Sequence, residues 1–365
     1  MASRDKPPAH VLLAAIPSLK LAPGQPVEWH NIPEFNLLAR NITVPGISPL
    51  YPDVHCTYDG SICQIITGQA EINAASTMSS LLNSPRFDLT STYFLLAGIA
   101  GISPKHATVG GVTFARYAVQ SGLQHEIDAR EMPTHFTSGY FAQGTTGPGQ
   151  YPEWIVGTEV FEVNDALRQV AVDLAKTANL TDTDACKRLR ATYTSPIYAA
   201  GAAAPAVVAR CDTLTSDTFW TGSLLAEAFE NATLLLTNQD GVYCSTQQED
   251  NAVLNALLRA ALSGLVDFSR IIVMRAGSDF DRPPEGGSAA ENLFALAVGF
   301  PPALLNLRIA GVKIVQGIVD GWAGTFKRGI EPTNDIGDIF GSLREKRDST
   351  SRLSQAFFGR RVGRG

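Results

Sequence analysis

The sequence is short of charge and has no surplus of positive charge. Of 365 residues 18% are charged and the net charge is -6, so the basic footprint of a nucleic-acid binder is missing and a nucleic-acid partner is excluded. Only the stretch from Arg344 to Arg364 is clearly basic, and its Gly, Ser and Arg content reads as a solvated arm over residues 341–365, leaving 1–340 as one domain. No unbroken run of about eighteen apolar residues occurs, so a membrane span is not expected. Metal-type Cys/His spacing is absent, and neither a metal nor an organic cofactor is expected. Internal repeats are also absent, which sets aside solenoids and propellers. The opening "MASRDKPPAH" lacks the apolar stretch of a secretory leader.

What is present is ample core material, with 45% hydrophobic residues. Three sequons begin at Asn41, Asn179 and Asn231. Five cysteines stand at Cys56, Cys63, Cys186, Cys211 and Cys244. Cys56 and Cys63 flank a "TYDGSI" turn, and Cys186 and Cys211 flank an Ala/Gly-rich loop. Two disulfides with one free thiol, or five reduced thiols, are the readings open. Sequons and paired cysteines fit a secreted or cell-surface chain if a leader has been removed, and a cytoplasmic one otherwise.

Apolar runs and helical periodicity alternate along the chain. "HVLLAAI", "ICQIITG", "TYFLLAGIAG" and "GGVTFARYAVQ" read as strands, with two further strands at residues 207–217 and 267–274. Helices are expected over "PEFNLLARNI", "NAASTMSSLLNS", "VNDALRQVAVDLAKTANL", "DTDACKRLRATY" and "QQEDNAVLNALLRAAL", the last capped by Ser245 or Thr246. A helical closing segment is interrupted at Pro301 and Pro302. Between Asp128 and Gly157 lies a Gly/Pro/Thr-rich stretch too long for a bare connection, hence a functional loop or an insertion. The alternation predicts an α/β fold with a mixed, mainly parallel central sheet flanked by helices in three layers.

Strand ends in such folds open into a ligand crevice. Four of them carry unusual residues: Gly68 with Glu71 and Asn73 beyond it, Gly98 to Gly101, Ser216 to Trp220, and Arg275 with Ser278 and Asp279. Each has a plainer role available. "GIAG" is commonly a tight turn, Phe219 and Trp220 suit a core, Glu249 suits a helix start, and Asp279 suits a helix N-cap.

In order, "TGQAEINAA", "AGIAGISP" with "GGVTFARYA", "TSDTFWTG", "QQEDNAV" and "RAGSD" resemble the motifs of the nucleoside phosphorylase and nucleosidase superfamily. "IPEFNLLARNITVPG", "PLYPDVHC" and "GTEVFEVNDALRQ" are similar to segments of the fungal purine nucleoside permeases. The resemblance implies a phosphorylase-like domain, a purine nucleoside ligand and a homo-oligomer. It implies Asp279 as the acid at the purine N7, oriented by Ser278, with Glu249 at the ribose hydroxyls and the adjoining Gln248 also binding substrate. Phe219 then stacks on the base, with Trp220 and Asp217 beside it. Gly98, Ile99 and Ala100 line the ligand through their backbone. Phosphorylases of this kind hold phosphate partly with an arginine at the position of Leu96. An apolar residue there implies water as nucleophile, unless Arg40, Arg116 or Arg130 supplies the charge and phosphate is a cosubstrate. Glu28 and His30 are the nearest candidates for activating that nucleophile. The expected function is purine nucleoside N-ribohydrolysis. Phosphorolysis, capture without cleavage, and a storage role on a disabled fold are the alternatives.

Overall fold

A computed structural model describes residues 11–15, 29, 32–202 and 204–344. The expected tail beyond 344, Glu28 and His30 lie outside the described residues.

The strands are β1 (Val11–Ala15), β2 (Arg40–Thr43), β3 (Asp53–Cys56), β4 (Ile62–Ile66), β5 (Tyr93–Ile102), β6 (Val112–Ala115) and β7 (Tyr117–Gln120). They continue as β8 (Gln124–Glu126), β9 (Tyr140–Ala142), β10 (Val160–Glu162), β11 (Val208–Arg210), β12 (Asp212–Thr215), β13 (Tyr243–Gln247), β14 (Ile271–Phe280) and β15 (Gly337–Asp338). The helices are α1 (Glu71–Leu82), α2 (Asp165–Ala175), α3 (Asp184–Arg190), α4 (Ser223–Leu236), α5 (Asp250–Leu262), α6 (Ala289–Phe294) and α7 (Phe300–Asp320).

Thirteen strands form one mixed sheet in the order β15-β10-β7-β12-β13-β5-β1-β4-β3-β2, with β14, β6 and β11 branching from β5. Its central ladders, β4-β1-β5-β14 and β7-β12-β13, are parallel. The fully buried β4 and nearly fully buried β5 and β14 are mostly apolar, as strands covered on both faces must be, with Gln64 the one polar residue of β4 and Arg275, Ser278 and Asp279 grouped toward the end of β14. On one face Met78 and Leu81 of α1 meet Val253 and Leu257 of α5. On the other, Leu167 and Ala171 of α2 pack with Ala303, Ala310 and Ile314 of α7. This is the expected three-layer arrangement. Helix α7 is long and apolar enough by composition to cross a membrane, yet more than half of it is buried against the sheet and α2.

Several local readings change. "PEFNLLARNI" is not a helix: Asn36 caps a single 3-10 turn at Leu37–Ala39, and Arg40–Thr43 then pairs antiparallel with β3. "GGVTFARYAVQ" is two strands broken at Arg116, whose backbone N–H turns to the Asp212 carboxylate. Ser245 and Thr246 lie inside β13 and cap nothing; the Gln247 side-chain oxygen accepts from the N–H groups of Glu249 and Asp250 where α5 begins. Pro301 and Pro302 open α7, where a missing N–H is harmless. The long 128–157 stretch contributes β9, which pairs with β8 in a separate two-stranded sheet.

Cys56 and Cys63 face each other in the β3-β4 ladder and are bonded. The second bridge joins Cys211 to Cys244, not to Cys186, because β12 and β13 are parallel neighbours. Cys186 is a free, buried thiol on α3.

Candidate functional site

The carboxyl ends of β5, β12, β13 and β14 meet around one pocket. Ile99, Ala100, Gly101, Ser216, Phe219, Trp220, Gln248, Glu249, Ser278 and Asp279 stand in its wall. The choice for Asp279 between a ligand crevice and a helix N-cap is resolved by the strand itself: β14 runs through it to Phe280, so it caps no helix.

A bulge does the aiming. Along β14, Gly277 pairs with Ala100 and Asp279 with Gly101, which leaves Ser278 as an extra residue in the ladder. Bulges of this sort bend a strand and redirect its side chains. Gly101 also pairs with Thr246 of β13. A Cβ on Gly101 would lie 2.9 Å from Thr246 Cγ2 and 3.9 Å from Asp279 Oδ2, so only glycine lets three strands close here. "GIAG" is therefore strand and not a turn.

The Ser278 hydroxyl sits 3.1 Å from the Ala100 carbonyl and in a short hydrogen bond to Asp279 Oδ1. One hydroxyl proton cannot serve two acceptors. A proton on Asp279 completes the set, since the carboxyl then donates to Ser278 Oγ and the hydroxyl donates to the carbonyl. Burial points the same way, pushing the Asp279 carboxyl up to about 6, with Ser278 opposing and the nearby Asp281 adding to the rise.

Glu249 is 3% exposed. Its Oε1 accepts from the Ala70 N–H at 3.3 Å, and its Oε2 accepts from the Gln248 N–H and from Arg275. Ala70 holds this N–H in place at φ 73° and ψ 162°, a conformation that side chains other than glycine's resist. Arg275 is itself 1% exposed and is shared. It makes closer contacts to Asp250, at 2.6 and 3.1 Å, than to Glu249 at 3.3 and 3.4 Å, and also reaches the Ile99 carbonyl. Two carboxylates thus face one guanidinium. Burial raises the Glu249 carboxyl, with Arg275 opposing.

Deeper in, Asp281 also lines the pocket, held by the Tyr243 hydroxyl at 2.7 Å and by Arg282. Phe219 stands at the rim, 60% exposed, while Trp220 is 8% exposed and packs edge-on to Phe229. No lysine or arginine lines this pocket among the described residues. The alternative cations are engaged elsewhere: Arg116 with Glu162, Arg130 with Asp128, and Arg40 with the Tyr58 carbonyl. Leu96 is buried within β5.

Most residues named from sequence therefore come together. Gly98 does not join the wall; it lies opposite Arg275 in the ladder. Asp217 stands outside it, its carboxylate accepting the Glu71 N–H at the start of α1 and its carbonyl accepting from Gln248. Missed from sequence were Gln69, Thr218, Thr246, Gln247 and Asp281. Asp281 carried a signal, an acid two residues beyond Asp279, the spacing that puts side chains on one side of an extended chain.

The purine nucleoside permease family model matches residues 25–331. A purine nucleoside permease of Candida albicans is 48% identical over 316 residues, covering 85% of this chain and 77% of that one. A probable purine nucleoside permease of Schizosaccharomyces pombe is 40% identical, covering 79% and 84%. Among solved structures, the 5'-methylthioadenosine/S-adenosylhomocysteine nucleosidase of Helicobacter pylori aligns with TM-score 0.47 and 13% identity, over 86% of this chain and 98% of the other. Futalosine hydrolase of the same organism aligns with TM-score 0.46 and 13% identity over the same shares. By the family match and by identity along most of its length, this chain belongs to the purine nucleoside permease family.

Proposed function

We propose that the pocket binds purine nucleosides and cleaves their N-glycosidic bond with water, releasing free base and ribose. The observation that carries this reading is the partly buried Asp279, whose carboxyl is raised to about 6 in a pocket shared with Glu249. The family name supports a purine nucleoside as ligand.

Breaking the bond sends its electron pair to the base and leaves positive charge on the sugar. Asp279 donates its proton to N7, so the base departs neutral; such acid help supplies on the order of 10²- to 10⁴-fold. Ser278 orients the carboxyl. Glu249 accepts from the ribose 2′- and 3′-hydroxyls, and its negative charge favours the oxocarbenium-like sugar. Phe219 covers the base. A water oxygen then bonds to the anomeric carbon and gives up a proton, with Glu28 and His30 as the candidate acceptors. Phosphorolysis is disfavoured because a phosphate dianion would meet acidic side chains and no cation among the described residues of this wall.

The relatives' name favours a second reading, capture of nucleosides without cleavage. One experiment separates the readings: chromatography of inosine, guanosine, adenosine and uridine incubated with the protein, with and without phosphate. Base and ribose without phosphate support hydrolysis. Release only with phosphate overturns it in favour of phosphorolysis, and binding with no release in either buffer favours capture.

A further inference from the structure

A second, larger cavity lies away from the carboxylates, between the β8-β9 hairpin with its following loop and helix α4. It encloses about 290 Å³, against about 80 Å³ in the first pocket, and approaches the usual lower bound for small-molecule sites, about 300 Å³. Nothing in the hydrolytic reading uses it.

Its chemistry is unusual for a surface groove. Among the described residues it has no lysine, arginine, histidine or aspartate in its wall. The one carboxylate, Glu159, is spent on the N–H groups of Val156 and Gly157 at 2.6 and 2.7 Å. Side-chain amides dominate the polar lining. Gln120 is tied to Glu71 and the Gly122 N–H, and Gln150 to Thr146. The Gln124 side-chain oxygen, by contrast, is buried without a hydrogen-bond partner. Gln143, Asn231 and Gln239 also line the cavity and have no side-chain hydrogen bond within the described chain. A carboxamide offers donor and acceptor side by side, which matches vicinal hydroxyls and repays little for a charge. The apolar part of the wall is Pro148, Pro152 and the leucines of α4, with Tyr140 and Phe141. The two aromatic rings are already in edge contacts, Tyr140 with Phe229 at 5.9 Å and Phe141 with Phe136 at 5.5 Å.

We infer that this cavity is a second binding site, for an uncharged, hydroxyl-rich ring of the size of one or two sugar units. The ligand is a free neutral saccharide or the sugar half of a nucleoside; the amide-lined wall reads the hydroxyls in either case.

The test uses the full chain made in a bacterial host, so that the Asn231 sequon carries no glycan. Saturation-transfer NMR would be run with glucose, maltose, glucose 6-phosphate, inosine and hypoxanthine, on wild type and on Asn231→Trp. Asn231 is exposed on α4, so the bulky ring fills the groove without entering the core. A glucose or maltose signal that falls at least tenfold in Asn231→Trp, with glucose 6-phosphate weaker, supports the saccharide source. Inosine displacing those sugars in wild type supports the nucleoside's sugar as a second source. If Asn231→Trp melts below wild type, Gln143→Ala, at the opposite wall, replaces it and is expected to weaken the sugars by the same factor. No sugar signal from wild type, an equal signal in a folded variant, or binding of hypoxanthine lost with Asn231→Trp would each overturn the proposal. Inosine turnover and its dependence on Asp279 are scored separately, so failure here leaves the hydrolytic reading intact, and the reverse.

Discussion

Asp279→Asn is expected to make the protein more stable and far less active. The side chains are nearly isosteric, and an amide keeps the contact to Ser278 while carrying no transferable proton. The wild-type carboxyl is raised from its ordinary 3.8 to about 6 by burial. A group raised in the folded state contributes stability that is fully present below its unfolded value and is lost as pH rises through the folded value. Across that difference, at about 1.4 kcal/mol per pH unit, the ionised carboxyl costs the folded chain on the order of 3 kcal/mol near neutral pH. Asparagine has no such cost. With unfolding entropy of about 2.1 cal/mol/K for each of 365 residues, that corresponds to a Tm about 4 °C higher for the variant at neutral pH. The gap should shrink toward zero near pH 4 and open between there and about pH 6. Base release, followed by chromatography, should fall by roughly 10²- to 10⁴-fold, and wild-type kcat should decline above the same region as the acid loses its proton. A Tm difference that is flat with pH, or an asparagine variant within tenfold of wild type, would refute the assignment.

Other perturbations follow from the same geometry. Glu249→Gln removes the charge proposed to receive two ribose hydroxyls while Asp250 still holds Arg275; at about 1.5 kcal/mol or more per charged hydrogen bond, nucleoside affinity should fall on the order of 10²-fold by calorimetry in an Asp279→Asn background. Phe219→Ala, at a residue 60% exposed, should leave stability within about 0.5 kcal/mol yet weaken binding by roughly 1–3 kcal/mol through lost base stacking. Ala70→Gly relieves the backbone at φ 73° and should raise stability by about 1 kcal/mol in denaturant melts. Reducing Cys211–Cys244, with a separation of 33 residues, should lower stability by roughly 3–4 kcal/mol, against about 2 for Cys56–Cys63 with 7.

The central strands and covering helices were legible because burial on both faces writes itself as continuous apolar runs, and burial on one face writes itself as three-and-four spacing. The edges were not. Arg40–Thr43 has helical propensity around it and becomes a strand only because β3 offers a partner thirteen residues on. The split at Arg116 depends on a distant acceptor, Asp212, that no local window contains. The same distinction runs through the site. Asp279, Glu249 and Phe219 occur in ordered motifs and could be named. Thr246 and Gln247 enter the wall because β5 pairs with both β13 and β14, a branching that period and composition do not encode, and Gln69 stands beside them through its side-chain hydrogen bond to Gln248. Cys244 as the partner of Cys211 likewise required knowing that β12 and β13 are neighbours.

Capture and cleavage of a nucleoside share every contact up to the last step. Glu249, Gln248 and Phe219 would grip the ground state in either case, and such uniform binding accelerates nothing. The proton on Asp279 is different, since its value appears only as the base departs. For capture alone, a hydrogen bond to N7 is served as well by an asparagine, without placing an ionisable acid in a pocket that already holds Glu249 and Asp281. The chain instead keeps a carboxyl there, supports it with a bulged serine and three converging strands, and holds it above the ordinary carboxylate range through burial. A stability cost localised on one proton is expected where that proton is transferred, and this is the ground on which hydrolysis is proposed over passive capture.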